Sequence, residues 1–502
     1  MQQGHNQTAV AKALSTGALL ELNWKAMKNR KCGRVVPVYL GVLLLVLHCP
    51  ITGHSEEPAA APTSKLEKFV TQDYLLGTWG GLRSMLSSNG VDFEFFYIAS
   101  NPHNISGGIK TGGAYEGALL MLLDLDSERL AHYAGGHLHV GGVWLHGNDH
   151  FSDEHIGDFN KVNLIDFPNA ARLWELWYEQ QFWNNKLSLK IGQMAVDQDF
   201  LMAEFYNSLA SINLLNQTFF YPTLAFNVYN IPPTPGPLHA LASSPYGAPG
   251  ARLKWNVTPR FYLQAGAYDG YPDPDTGTQF KFNGSEGALI YAEAGWRMNQ
   301  EKEDAGLPGN LKLGAFYHTG DFPDNKSLFS NPMAFFDPSA AAGVSFHPNT
   351  YGGYFLADCT LFLEKGKDDP AHQGLVGFFR LTGAPPDRSL TQFGVDGGFV
   401  YKGLIPTRDW DSIALAVSYL QMSDDIRDGQ KMANSVVPGT YPKLADYEGA
   451  IELNYKAQMT AWWTMHLSIQ RVLHPGGRVY SFAPIGQGRD AWAFILASTL
   501  RF

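Results

Sequence analysis

The residues best suited to chemistry are charged side chains spaced two apart, on segments whose intervening residues are apolar. Glu175 and Glu179 alternate with Leu176 and Tyr178, Lys190 with Leu189 and Ile191, and Arg252 with Ala251 and Leu253. Asp92 and Glu94 alternate in the same way with Phe93 and Phe95. A period of two sends neighbours to opposite faces of a β-strand, so each of these charges is expected on a water-facing side. Asp197, Asp199 and Glu204 fall in Met194 to Phe220, a long stretch after a strand that reads as an inward-folded loop. Arg83, in an earlier helical segment, could supply a cation opposite those acids. Carboxylates and guanidinium groups hold a polar solute by paired hydrogen bonds. Scattered along strand faces, with no G-x-S-x-G or H-E-x-x-H, they suit reversible binding rather than bond breaking.

Two other patterns compete for attention. His137 and His139 share a strand face, with His146, His150 and His155 nearby, and H-x-H on a strand is a spacing that zinc can use. With Leu138 and Val140 on the opposite face, lining of a polar interior is the preferred reading. The run Asn104 to Thr111 lacks the Gly-Lys-Ser/Thr spacing of a phosphate loop.

The elements that must position these residues are strands. From Gly90 onward the pattern has period two, in about sixteen segments separated by Gly, Pro, Asn and Asp clusters. Ile451, Leu453, Tyr455 and Ala457 oppose Glu452, Asn454, Lys456 and Gln458, and Trp463, Met465, Leu467 and Ile469 oppose Thr464, His466, Ser468 and Gln470. Aromatics gather near strand ends (Trp174, Trp177, Trp183, Trp462, Trp463, Trp492), as an interfacial girdle requires. The last segment, Trp492 to Phe502, ends its apolar face on an aromatic, the type of ending through which outer-membrane barrels meet their assembly machinery. Before the strands, Leu75, Trp79, Leu82 and Leu86 lie on one helical face, a candidate plug helix.

The composition agrees. Charged residues are only 17% and hydrophobic ones 45%, which excludes a disordered chain, and the net charge of −10 with no basic block in the body argues against nucleic acid as a partner. Val35 to Leu47 follows Lys28, Arg30, Lys31 and Arg34 and is short of the about 20 residues that span a bilayer. It reads as a signal peptide cleaved after Ser55, with Met27 as an alternative start. Only Cys359 would remain in the exported chain, so disulfides do not hold it.

Strands apolar on one face and polar on the other, in a chain addressed to export, imply a sheet closed on itself, because hydrocarbon leaves no unpaired backbone group satisfied. The expected fold is an all-β transmembrane antiparallel β-barrel of about 16 strands with a short N-terminal helical segment. The expected divisions are 1–55 extension and signal peptide, 56–90 linker and plug helix, and 91–502 barrel.

The chain also resembles the carbohydrate-selective outer-membrane porins of the OprB type. Gly77 to Arg83 (GTWGGLR) is similar to that family's opening motif, with Thr78 where Asp is more usual. Leu173 to Phe182 with Leu187 to Gln193, Ser244 to Gly270, Pro308 to Asp321, Arg380 to Gly403 and Glu448 to Gly477 continue the likeness in order. Departures are Cys359, where the family often has Gln, and a longer loop at Asp321 to Asn349. The resemblance implies passive diffusion of sugars such as glucose across the outer membrane, with no catalysis and no cofactor. Its partners would be the sugars, outer-membrane lipid and the barrel assembly machinery, and a homo-oligomer is left open. The residues named above would then line or narrow the pore. A general porin and, behind it, a barrel hydrolase are the alternatives. The acidic excess predicts a mild preference for cations.

Overall fold

The computed structural model describes residues 64–148, 150–204, 212–220, 244–270, 287–301, 303–335, 337, 339–369, 371–481 and 488–502. The expected signal peptide and residues 56–63 of the expected linker lie outside them. Sixteen long strands follow one another: β1 Val91–Gly108, β2 Glu116–Asp126, β3 Gly136–Gly147, β4 Ala170–Phe182, β5 Leu187–Met194, β6 Ala248–Asn256, β7 Phe261–Asp269 and β8 Ala288–Met298. The second half comprises β9 Gly309–His318, β10 Thr350–Leu363, β11 Gly374–Gly383, β12 Thr391–Lys402, β13 Ser412–Met422, β14 Tyr447–Thr460, β15 Trp463–Leu473 and β16 Arg489–Arg501. Each pairs antiparallel with the next. β1 returns to β16 in register from Phe96 opposite Arg501 to Asn104 opposite Ala493, which closes the barrel and leaves no sheet edge.

The barrel is inside out relative to a water-soluble fold. Along β9, Asn310, Lys312 and His318 are buried, while Leu313 (65% exposed) and Tyr317 face outward. Leu253, Ile290, Phe399, Leu415, Leu453 and Ile469 are exposed in the same sense on other strands. Trp144, Trp183, Trp255, Trp296 and Trp492 add outward-facing aromatics. Three of the expected girdle tryptophans turn inward instead. Gly141 pairs with Glu175 but Gly142 with Leu173, so Trp174 is the extra residue of a β-bulge. The bulge resets the alternation, placing both Trp174 and Glu175 inside. Trp177 follows Glu175 inward by the same alternation, and Trp462, in a tight connection, packs on Phe69 at 5.1 Å.

Connections are short at one end (183–186, 257–260, 461–462) and long at the other (148–169, 195–247, 319–349, 423–446). In the long-end loops, α3 Asn325–Ser330 packs on α4 Asp424–Val436, and Leu328, Phe329, Ile426, Ala433 and Tyr441 form a small apolar core there. At the short end, α1 Lys65–Thr71 is capped by Ser64 and α2 runs Leu82–Ser88. The helix predicted from Leu75 starts only at Leu82, because Gly80 and Gly81 take φ of 68° and 96°, outside the right-handed helical region. This segment is tied down by Leu75 N–H to the Arg501 carbonyl (2.9 Å) and by the Trp462 indole to the Phe69 carbonyl (3.1 Å).

An outward charge on such a wall is expensive only if the wall faces lipid. Leu453→Arg, on an outward position within β14, is expected to destabilise the folded protein in bilayers by about 2–4 kcal/mol. Denaturant titration in lipid vesicles reads this directly. A change below about 0.5 kcal/mol, typical of water-facing surfaces, would place that face in water.

Candidate functional site

The stretch after β5 does not stay outside the barrel. Asp199 projects from it toward β5 and β6, where the Lys190 ammonium donates to both carboxylate oxygens at 2.9 Å. Arg252 donates from Nε to Asp199 at 3.2 Å and from Nη2 to Glu179 at 3.2 Å. Burial alone would raise the Asp199 pKa, but the charges of Lys190 and Arg252 outweigh it and hold the carboxyl below its ordinary value. Farther along, the Leu201 N–H points at Glu293 (3.4 Å) and the Glu204 N–H donates to Asp358 (2.6 Å). Lys312 reaches both the Met202 carbonyl and the Glu204 carboxylate at 2.8 Å.

Glu293 itself is held by two phenols, Tyr262 at 2.7 Å and Tyr354 at 2.6 Å. Those rings lie flat on the inner wall because the positions beneath them carry no side chain. A Cβ on Gly295 would come within 2.1 Å of the Tyr262 ring, and one on Gly314 within 2.2 Å of Tyr354. Small residues thus make room for the groups that orient a buried carboxylate, which in turn receives the segment's backbone.

The second described stretch, 212–220, rests on the other arc of the wall. Glu452 of β14 accepts from the Leu215 and Asn216 N–H groups at 2.8 and 2.9 Å, and Ser412 of β13 donates to Asn213 at 2.7 Å. Arg380 of β11 donates to the Thr218 carbonyl while pairing with Asp396 at 2.8 Å. The connection 148–169 is received likewise, with Glu448 accepting from Phe159 and Asn160 N–H groups at 2.9 Å. Between them the two arcs, β5–β10 and β11–β15, hold the stretches 195–204 and 212–220 against the inner wall.

The residues expected from the sequence separate into two groups. Glu175, Glu179, Lys190, Asp197, Asp199 and Arg252 meet at the root of the inward segment. Glu175 faces the Ala195 N–H at 3.4 Å, and Asp197 accepts from the Ser244 N–H at 2.8 Å. Arg83, Asp92 and Glu94 instead gather at the short-connection mouth around a cavity of about 470 Å³. Arg83 donates to the Phe93 carbonyl at 2.7 Å and lies over the Tyr74 ring, and Glu94 pairs with Arg501. Arg83 therefore does not stand opposite the loop acids. Glu293, Glu448, Glu452, Arg380 and Lys312 were missed as a set. For Glu293 the signal is a lone ionisable residue among small and apolar neighbours, as in Tyr291-Ala292-Glu293-Ala294-Gly295; Glu448 and Glu452 lie on a polar face where nothing sets them apart from Asn454 and Lys456.

Beside the segment, on the short-connection side, a cavity of about 630 Å³ is lined by Glu204, Asn213, Lys402, Trp410, Lys456 and Gln458 among others. A smaller one of about 200 Å³ shares Lys456 and Gln458 and reaches Glu94. Lys402 lies over the Trp410 ring at 4.4 Å, and Lys254 and Arg297 flank Tyr262 at 4.5 and 4.7 Å. Among the described residues, none of Lys254, Arg297, Lys402 and Lys456 has a carboxylate within ion-pair distance. Elsewhere on the wall, Asp124, His137 and His139 bring three ligand-type atoms together.

Removing the Asp199 charge leaves Lys190 and Arg252 buried with one acid between them, a loss of about 3–5 kcal/mol for a pair of this burial. Asp199→Asn is expected to lower thermal stability and raise single-channel conductance as the segment loosens. If both stay at wild-type values, the clasp does not hold the segment. Asp197 works in the opposite direction: burial pushes its carboxyl up to about 6. An acid raised on folding stabilises most below its unfolded value of about 3.9 and loses that contribution as pH climbs to about 6. Wild-type thermal stability should therefore fall across that window relative to Asp197→Asn, and parallel pH profiles of the two proteins would count against it.

The model of the carbohydrate-selective porin, OprB family matches residues 110–494. The chain is 27% identical over 475 residues to Porin B of Pseudomonas aeruginosa, covering 90% of this chain and 96% of that one. Its fold is similar to the high-pH structure of Pseudomonas putida OprB, with a TM-score of 0.72 at 22% identity over 86% of this chain and 99% of that one. With the family model matched over most of a closed barrel that is apolar outside and polar within, the chain belongs to the carbohydrate-selective porins of the OprB family, channels of the outer membrane.

Proposed function

We propose that the protein lets neutral sugars of monosaccharide size, glucose-like in their hydroxyl pattern, diffuse passively and selectively through the water-filled barrel. The observation that carries this reading is the inward segment held on both arcs of the wall. It leaves beside it a cavity of about 630 Å³, within the roughly 300–1,000 Å³ range of small-molecule sites. The lining includes the acceptor Glu204, the donors Lys402 and Lys456, the amides of Asn213 and Gln458 and the flat ring of Trp410. A sugar presents hydroxyls around its rim and weakly apolar C–H faces, so donors, acceptors and a ring meet both. Movement down a gradient uses no cofactor, and contacts must stay weak enough for release. The buried clasp residues Glu179, Lys190, Asp199 and Arg252 act in this reading by setting the aperture. Arg83, Asp92 and Glu94 line the mouth.

A second reading, a general porin, draws on Lys254, Arg297, Lys402 and Lys456, which have no acid within ion-pair distance among the described residues. Selectivity among ions follows the charge along the path rather than the net charge of the chain. The lumen is therefore proposed to favour anions, in place of the cation preference inferred from the acidic composition.

One experiment addresses both. Single-channel conductance of detergent-extracted protein is recorded in a planar bilayer, with glucose and then disaccharides added, and reversal potential is taken across a KCl gradient. Saturable block by glucose, weaker for disaccharides, is the expected result, together with an anion-selective potential that Lys402→Gln/Lys456→Gln moves toward cations. Conductance indifferent to every sugar would leave a general porin. Cation selectivity of the wild type would remove the role given to the lysines.

A further inference from the structure

The inner wall carries a group of ligand-type side chains that sugar diffusion does not use. Asp124 on β2 stands directly opposite His139 on β3, and His137 lies two residues away on the same face. His137 Nε2 and His139 Nδ1 both meet one oxygen of Asp124, at 2.7 and 2.8 Å. The candidate ligand atoms lie within 4.8 Å of one another. We propose that Asp124, His137 and His139 form a binding site for a divalent transition metal such as Zn²⁺ on the lumen wall.

Three features beyond the ligand types support it. The imidazoles are already aimed: the Trp177 ring stacks on His137 at 5.5 Å and on His139 at 4.9 Å, with interplanar angles of 22° and 17°. The ring nitrogen of His139 that faces away from Asp124 looks toward Glu175 at 3.7 Å, the carboxylate-backed arrangement that orients metal-binding histidines. The side chains of His137 and Asp124 are 40% and 31% exposed, so an ion can enter from the lumen and keep water in its remaining positions. Two imidazole nitrogens and a carboxylate suit Zn²⁺, Ni²⁺ or Cu²⁺ better than Ca²⁺ or Mg²⁺, which take oxygen. Binding needs no redox partner. An imidazole lone pair replaces each hydrogen bond to Asp124, and a proton on that nitrogen leaves to the other ring nitrogen or to solvent.

The test uses untagged, chelator-stripped protein in detergent. Zn²⁺ titration by calorimetry is run on the wild type, on His137→Gln/His139→Gln and on Asp124→Asn, each checked for the folded barrel by its mobility on unheated gels. The expected outcome is one saturable ion per chain in the wild type, lost in the double variant and weakened in Asp124→Asn. Equal saturable binding in the folded double variant, or none in the wild type, would overturn the proposal. Co²⁺ added to the wild type reads ligation without any substitution. A visible absorption band of low-coordinate, imidazole-ligated Co²⁺ is expected, and the spectrum of the hexaaqua ion alone would count against the site.

Discussion

A backbone amide inside hydrocarbon has no water to bond with, and a sheet that crosses a membrane must therefore have no edge. Everything else in this protein is arranged around that requirement. β1 meets β16 over most of its length, so every strand has two neighbours. Closure divides each strand into an outer face that must be apolar and an inner face that is free to be polar. The exposed Leu313, Leu415 and Leu453 and the buried Lys312, Ser412 and Glu452 are two sides of the same constraint.

The polar inner face then creates a second problem, which the inward segments resolve. Glu293, Glu448 and Glu452 would be ordinary wetted acids in an empty barrel, but here they are at most a few per cent exposed. They are satisfied by backbone N–H groups of Leu201, Phe159, Asn160, Leu215 and Asn216. The segment needs partners for its backbone, and the wall needs partners for its charges. Such buried charge networks add little net stability over apolar packing. Their consequence here is positional: each carboxylate accepts from a particular backbone group, and sliding the segment by one residue would strand several charges at once.

The same arrangement separates net charge from local charge. The chain is acidic overall, yet many of its lumen acids are consumed in holding segments or in pairing with Lys190, Arg252, Lys312 and Arg380. Among the described residues, Lys254, Arg297, Lys402 and Lys456 have no acid within ion-pair distance. Lys402, Lys456 and the ring of Trp410 therefore stand beside the cavity in a local balance that the average of the composition does not describe.

The barrel was legible because a period of two survives in the residue order. Apolar and polar faces, turn residues between them and the strand number of about sixteen all follow from it. The charged residues at the root of the inward segment were legible too, since Glu179, Lys190, Asp199 and Arg252 stand out as ions in apolar surroundings. What alternation cannot carry is a break in its own phase. The bulge at Trp174 turned a tryptophan read as outward into an inward one, and Gly80 and Gly81 delayed a helix that the apolar spacing started at Leu75. Nor can strand order say which inner-face residues become neighbours across a lumen. Glu452 and Asn216, Glu293 and Leu201, or Asp124 and two histidines are joined by closure and by the inward fold. Sequence by itself determined which side of the wall most residues face, because that depends on a local period; the tertiary structure decided where that period breaks and which residues meet, because contacts across a closed barrel depend on its bulges, its register and its infolded segments.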